Sequence, residues 1–232
     1  MLCLQEIKCE NQNFPTAAFE ELGYQAAVNG QKTYNGVAIL SRLPFENVTR
    51  DLPGDGTDEH ARYITADVFE DKRMVKVCCL YLPNGNPAPG PKYDYKLSWM
   101  KRLEAEAKRM LKTEEAFVLA GDYNVIPAAV DAKNPQNWLE DALFLPQTRA
   151  AFQKLLALGL TESFRALHPT AQNAFSYWDY QAGAWFKNNG IRIDHLLLSP
   201  QAADRLVSAE IDRDIRGHEK PSDHVPVTIE LK

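Results

Sequence analysis

Apolar runs that stop at an acid, an amide or a histidine recur along this chain, and they constrain its fold more than any other feature. Leu2-Cys3-Leu4 stops at Gln5-Glu6. Ala116–Ala120 stops at Gly121-Asp122-Tyr123-Asn124. A run from Ile191 to Leu198 contains Arg192-Ile193-Asp194-His195. Lys220-Pro221-Ser222-Asp223-His224 leads into the alternating run Val225, Val227, Ile229, Leu231. Short strands that end in polar side chains gather those side chains along one rim of a sheet. With 232 residues, the chain can bury such a sheet in a real core.

The remaining pattern mixes strands and helices. Tyr34–Ser41, Arg62–Phe69 and Met74–Leu82 read as strands, with Glu70-Asp71-Lys72-Arg73 as a hairpin turn. Pro83–Lys92 is a loop by its Pro and Gly content. Tyr95–Lys112 reads as a helix with Met100, Leu103, Ala107 and Met110 on one face. Thr148–Leu158 reads as a second helix, with Thr148 as N-cap and Gly159 as the left-handed C-terminal stop. Further strands are expected near Val207–Asp212 and Val225–Leu231. Leu2–Gln5 reads as a central strand delivering Glu6. Sheet packed on sheet with helices outside accommodates this order. No repeat or linker divides the chain, so a single domain over residues 1–232 is expected.

Composition excludes some classes. Hydrophobic residues are 45% and charged residues 25%, and no apolar stretch is long enough to span a bilayer. No secretory signal is read at the N-terminus, so a cytoplasmic location is expected. Cys3, Cys9, Cys78 and Cys79 lack zinc or redox spacing and are expected as free thiols, with Cys78 and Cys79 on opposite strand faces. A net charge of −5 argues against a surface coated in positive charge, though not against a local basic face.

Each polar residue has a bland reading. Asp122 and Asn124 are turn formers, Ser222-Asp223 a loop cap, Glu6 a solvated strand end, and His224 a bonded structural histidine. Together, Glu6, Asp122, Asn124, Asp194, Asp223 and His224 offer oxygen ligands and one imidazole. That set suits a hard cation such as Mg²⁺ or Mn²⁺ rather than zinc. Tyr81 is a core tyrosine or a site hydroxyl. Tyr177-Trp178-Asp179-Tyr180 and Trp185-Phe186 form a minicore or a platform for a displaced nucleoside, with the two readings level. Lys187, Arg192, Arg213, Arg216 and Lys220, with Lys32, Arg62 and Lys96, are candidate phosphate contacts.

These motifs resemble the exonuclease III family, the bacterial abasic-site endonuclease branch of the endonuclease/exonuclease/phosphatase superfamily. The resemblance rests on Leu4-Gln5-Glu6-Ile7-Lys8, Gly36–Ser41, Tyr81 with Pro83-Asn84-Gly85, Gly121–Asn124, Phe175–Tyr180, Gly190–His195 and Pro221–Val227. It implies a four-layer α/β sandwich of two mixed sheets flanked by helices. It also implies a Mg²⁺-dependent phosphodiesterase that cuts duplex DNA at abasic sites, with 3′→5′ exonuclease and 3′-end-cleaning activity. The sequence itself gives no sign of an oligomer, so a monomer is expected.

By matched position, Glu6 would be the principal metal ligand. Asp223, Asp122 and Asn124 would lie at the metal cluster. Asp194 would pair with His224, and Asp122 would activate water or protonate the leaving oxygen. Asn124 would hold the scissile phosphate and Tyr81 would orient it. Tyr177 and Trp178 would line the abasic-sugar pocket, and Arg62, Asn84, Lys187 and Arg192 would meet DNA.

One departure is expected to matter. The family begins with a core strand bearing a metal-site Asn in a Trp-Asn-Val-Asn-like run, then a helix, before Leu-Gln-Glu. This sequence has neither, so a form truncated at its N-terminus is expected, poorly stable and less active than one with the strand restored. Other readings are a phosphoinositide phosphatase, a secreted nuclease, or an inactive remnant that binds DNA without cutting it.

Overall fold

The computed structural model describes all residues, Met1–Lys232. In chain order its elements are β1 (Leu2–Gln5), α1 (Thr16–Glu21), β2 (Gln25–Asn29), β3 (Val37–Ser41), β4 (Phe45–Arg50), β5 (Tyr63–Glu70), β6 (Arg73–Tyr81) and α2 (Pro91–Leu111). There follow β7 (Phe117–Asp122), α3 (Pro146–Ala157), β8 (Thr161–Glu162), α4 (Ser163–Leu167), β9 (Asp194–Leu198), α5 (Pro200–Ala203), β10 (Leu206–Ile211) and β11 (Val227–Leu231).

One sheet is mixed and six-stranded, in the order β4-β5-β6-β7-β9-β8. Only its β6–β7 pair is parallel, and α2 makes that crossover. The two-residue strand alternation assigns its faces. Tyr63, Cys78, Leu80, Phe117 and Leu119 point to α2 and α3, where Trp99, Met100, Leu103 and Phe152 cover them. Ile64, Ala66, Val77 and Cys79 point the other way, onto Ala27, Val37 and Ile39 of β2 and β3. Cys78 and Cys79 therefore do face opposite sides, and all four thiols are free. The outer face of β2 and β3 packs on Phe14 and on Phe19 of α1. The result is the expected sandwich of sheet on sheet flanked by helices.

The second sheet differs from expectation. It is two antiparallel pieces, β1-β3-β2 and β10-β11, rather than one mixed sheet. β1 is accordingly an edge strand and not a central one. It pairs with β3 on one side, and no strand hydrogen-bonds to its other side. Cys3 of β1 and Ile229 and Leu231 of β11 nonetheless border the same apolar cluster, around Val118 and Ala120 of β7. Two unpaired edges thus overlie one face of the large sheet.

Two helix starts also differ. α2 begins at Pro91, a turn before Tyr95, because proline suits the first helical position, where its missing N–H costs nothing. α3 begins at Pro146, so Thr148 is not its N-cap. The Thr148 side chain is buried, and its hydroxyl donates to the Ala142 carbonyl. Gly159 does take the left-handed conformation that ends α3.

Gly121 sets the local geometry of β7. A Cβ there would lie 1.9 Å from the Leu80 carbonyl oxygen of the neighbouring strand. Gly121→Ala must push β6 and β7 apart just before their polar ends. We expect a loss of about 3 kcal/mol, a fall in Tm of roughly 6–12 °C for a chain of this length. An unchanged melting curve would show that the two strands separate at no cost.

Candidate active site

Strand register builds the site. Tyr81 at the end of β6 lies beside Asp122 at the end of β7, and Asp122 lies beside Asp194 at the start of β9. Neighbouring strands sit roughly 4.8 Å apart, so these three side chains stand abreast. Ser176 fixes the end of the row, because its buried hydroxyl accepts from the main-chain N–H groups of Ile193 and Asp194. Nothing in the sequence set Ser176 apart from the residues around it.

His224 closes the row from the loop before β11. Its Nδ1 lies 2.9 Å and 3.1 Å from the two Asp194 carboxylate oxygens, so Nδ1–H donates and Nε2 is turned to Asp122 Oδ2 at 4.0 Å. The Tyr177 ring meets the imidazole edge-on, with centroids 5.0 Å apart. Burial opposes a charged ring here, but the carboxylates of Asp194, Asp122 and Asp223 outweigh it and carry His224 up to about 10. Asp122 is also driven upward, first by its own burial and then by the charges of Asp194 and Glu6, against the pull of His224.

Asn124 holds Asp122 in place. Its main-chain N–H donates to Asp122 Oδ1 at 2.7 Å, and its Nδ2 donates to Asp122 Oδ2 at 3.0 Å and to the Leu82 carbonyl at 2.9 Å. The Asn124 Oδ1 accepts from Asn84 Nδ2 at 3.1 Å. Asn124 sits at φ 49°, a left-handed conformation that asparagine tolerates better than most residues.

Glu6 stands at the opposite end of the row, also left-handed at φ 53°. The Tyr81 hydroxyl donates to its Oε1 at 2.6 Å, and Lys8 pairs with its Oε2 at 2.8 Å. Burial raises the carboxyl, but these two partners outweigh it and hold Glu6 below its ordinary value. The Arg62 guanidinium lies over the Tyr81 ring, 4.8 Å from its centroid, and donates to the Tyr81 carbonyl.

The structure thus brings together Glu6, Tyr81, Asn84, Asp122, Asn124, Tyr177, Asp194 and His224, with Arg62 behind Tyr81. Five other candidates fall outside that group. Trp178 does not line a pocket. It is fully buried among Phe175, Ala184 and Val225, and its indole N–H donates to Asn188. Arg192 does not face solvent, so it cannot meet DNA. It is buried against Asp131 at 2.9 Å and Glu162 at 3.0 Å, in the irregular segment that leads into β9, and its main-chain N–H donates to the Asp131 carbonyl. The Asp223 carboxylate joins no hydrogen bond of the row, and its one polar partner is the Ser222 hydroxyl. Lys187 is exposed beside the fully projecting Phe186. Lys96 is buried beneath the site rather than exposed to phosphate.

No three His, Cys, Asp or Glu side chains come together as a metal cage. Glu6 is a single carboxylate, 38% exposed. A lone accessible carboxylate fits a hydrated Mg²⁺ ion, which binds through one or two carboxylates and keeps several waters, and it does not fit a zinc site.

Residues 1–224 match the Endonuclease/Exonuclease/phosphatase family model. The chain is 36% identical to exodeoxyribonuclease III of Haemophilus influenzae, over 99% of this chain and 88% of that protein. Among solved structures it is similar to an AP endonuclease from Archaeoglobus fulgidus, with a TM-score of 0.92 and 35% identity over 99% of this chain and 88% of the other. It is equally similar to the 3′ phosphatase NExo from Neisseria bound to a product DNA hairpin, with a TM-score of 0.93 and 37% identity over 100% and 88%.

The raised His224 pKa yields a direct expectation. In metal-free protein at pH 8 both ring nitrogens should carry protons in a ¹⁵N NMR spectrum, and a neutral ring at pH 7.5 would contradict the carboxylate clamp. A folded pKa above the unfolded value means that stabilisation from this ring is complete below about pH 6.5 and is lost as pH rises through about 10. His224→Gln should therefore flatten the stability profile across that window.

Proposed function

Since this chain belongs to the endonuclease/exonuclease/phosphatase family, we propose that it is a DNA-repair phosphodiesterase. It hydrolyses phosphate esters in duplex DNA at abasic sites and at blocked 3′ ends. The observation that carries this reading is His224, held by Asp194 on one nitrogen and turned toward Asp122 on the other. An imidazolium and a buried carboxylate facing the same space suit in-line attack on phosphorus. One neutralises charge developing on the phosphoryl oxygens, and the other moves a proton to or from the reacting oxygens.

Each residue has a role in that reading. Asp122 handles the proton of the attacking water or of the leaving oxygen, and Asn124 keeps both its oxygens aimed. Tyr81 presents its hydroxyl to the phosphate and Asn84 lines the rim. Tyr177 borders the space for the sugar, where a baseless nucleotide is the cheapest to extrude. Arg62 fixes Tyr81 from behind, and Lys187 meets the DNA backbone. Glu6 would hold Mg²⁺ or Mn²⁺. Such an ion supplies Lewis-acid stabilisation of phosphoryl charge when bound.

The experiment is incision of a duplex carrying one abasic analogue, and release of phosphate from a 3′-phosphorylated end, in Mg²⁺ and in chelator. We expect cutting that chelator abolishes. Asp122→Asn and His224→Gln should each lower it by about 10²–10⁴ while the fold survives. A folded wild-type protein that binds DNA in Mg²⁺ and cuts neither substrate would favour a binding remnant and end this reading.

The unpaired edges of β1 and β11 are the basis of a companion proposal: the working enzyme carries a further strand between them. Such a strand would pair both edges and cover the face around Val118 and Ala120. A form with that strand added should melt higher and turn over faster than residues 1–232. Equal Tm and equal turnover would refute it.

A further inference from the structure

Lys96 lies on α2 with its side chain completely buried, beneath the loops that follow β6 and β7. No carboxylate pairs with its ammonium. Its Nζ instead donates to two main-chain carbonyls, Asn84 at 3.0 Å and Asn124 at 2.5 Å. A lysine in an apolar core is costly, because a buried charge loses its water and two carbonyls restore only part of that loss. The space around it is tight. A Cβ on Gly85 would come within 2.7 Å of the Lys96 side chain, and Gly85 itself is left-handed at φ 91°. The loop is thus folded closely over this one side chain.

Those two carbonyls belong to the residues that hold Asp122. Asn84 donates to the Asn124 side chain, and Asn124 supplies both hydrogen bonds that fix the Asp122 carboxylate. The path from Lys96 to Asp122 is therefore continuous: ammonium, Asn124 peptide, Asn124 amide groups, carboxylate.

We propose that Lys96 is a positioning residue for the phosphodiester chemistry, clamping the Asn84 and Asn124 loops together so that Asn124 keeps both oxygens of Asp122 aimed at the substrate. The proposal rests on the reading of Asp122 given above. Lys96 touches neither substrate nor metal in it and acts only through Asn124.

A role through Asn124 differs measurably from a role in general stability. In Lys96→Met, which keeps the length of the side chain and removes its charge and donors, kcat for abasic incision should fall 10- to 100-fold with KM within twofold. In an Asn124→Ala background, the same substitution should lower kcat by less than threefold. Amide exchange supplies a readout independent of turnover. In Lys96→Met the Asn124 N–H should lose at least tenfold protection, while amides of β5 remain protected. Lys96→Gln, which retains a donor, replaces Lys96→Met if the latter fails to fold, and smaller changes in the same direction are expected.

Unchanged protection of the Asn124 amide overturns the proposal, whatever the activity. So does an equal fall of kcat in the two backgrounds, or a rise of KM with kcat intact. A wild-type protein that cuts no DNA would end the functional reading alone, and the exchange experiment would still decide for or against the clamp.

Discussion

The site depends on the register between three strands. β6 and β7 run parallel and β9 runs antiparallel to β7, with Tyr81, Asp122 and Asp194 at matched positions. A slip of one residue would turn every side chain of a strand to the opposite face. Asp122 would then enter the core while Gly121 faced the site. The register is held by burial, since Leu119 must face α2 while Val118 and Ala120 face the second sheet layer. It is also held by Gly121, whose missing side chain lets the Leu80 carbonyl approach closely. Catalytic geometry and core packing are the same constraint read at two ends of one strand.

Behind this row lies a buried ionic group that also shapes it. Asp131 accepts from Arg192 and Arg165, and Arg192 reaches Glu162 and His195. Because an arginine can only donate, His195 Nδ1 must accept from Arg192, so its Nε2 carries the proton and donates to the Val125 carbonyl at 3.0 Å. His195 thereby fastens Val125, the residue next to Asn124. Removing one member of such a buried group costs about 3–5 kcal/mol, because the others are left charged and unpaired. Arg192 therefore contributes to the site by fixing its floor rather than by touching DNA.

Much of this was legible in the sequence. The apolar runs that stop at polar residues placed Glu6, Asp122, Asp194 and His224 on one rim, because strand alternation is a local rule that tertiary packing reinforces. What failed was assignment by chemical type alone. Arg192 reads as a phosphate contact by its charge, whereas Trp178 is level between a minicore and a platform and takes its pocket role only from the family resemblance; the minicore reading is the one the structure shows. Arg192 is buried by Asp131, 61 residues away in the sequence, and Trp178 by Val225 and by Asn188, 10 residues on. Lys96 misled for the same reason. Its helix face was readable from Met100, Leu103 and Ala107, and Lys96 lies one turn before Met100 on that face, so the period pointed inward while the charge pointed outward. The helix period was the better guide.

That conflict indicates where a fold of this kind spends its stability. A lysine on the apolar face of α2, an arginine beneath β9 and an asparagine held left-handed at the end of β7 each break a local preference. All three bear on the segment from Asp122 to Val125. An apolar core alone could fold this chain, but hydrophobic contact is non-directional and cannot hold a carboxylate at a fixed angle. Hydrogen bonds from fixed donors can, and in a dry environment they do so with little freedom to reorganise. The polar groups concentrated under one short loop are therefore best understood as orientation obtained at the expense of stability, and their density marks the loop where angular precision matters most.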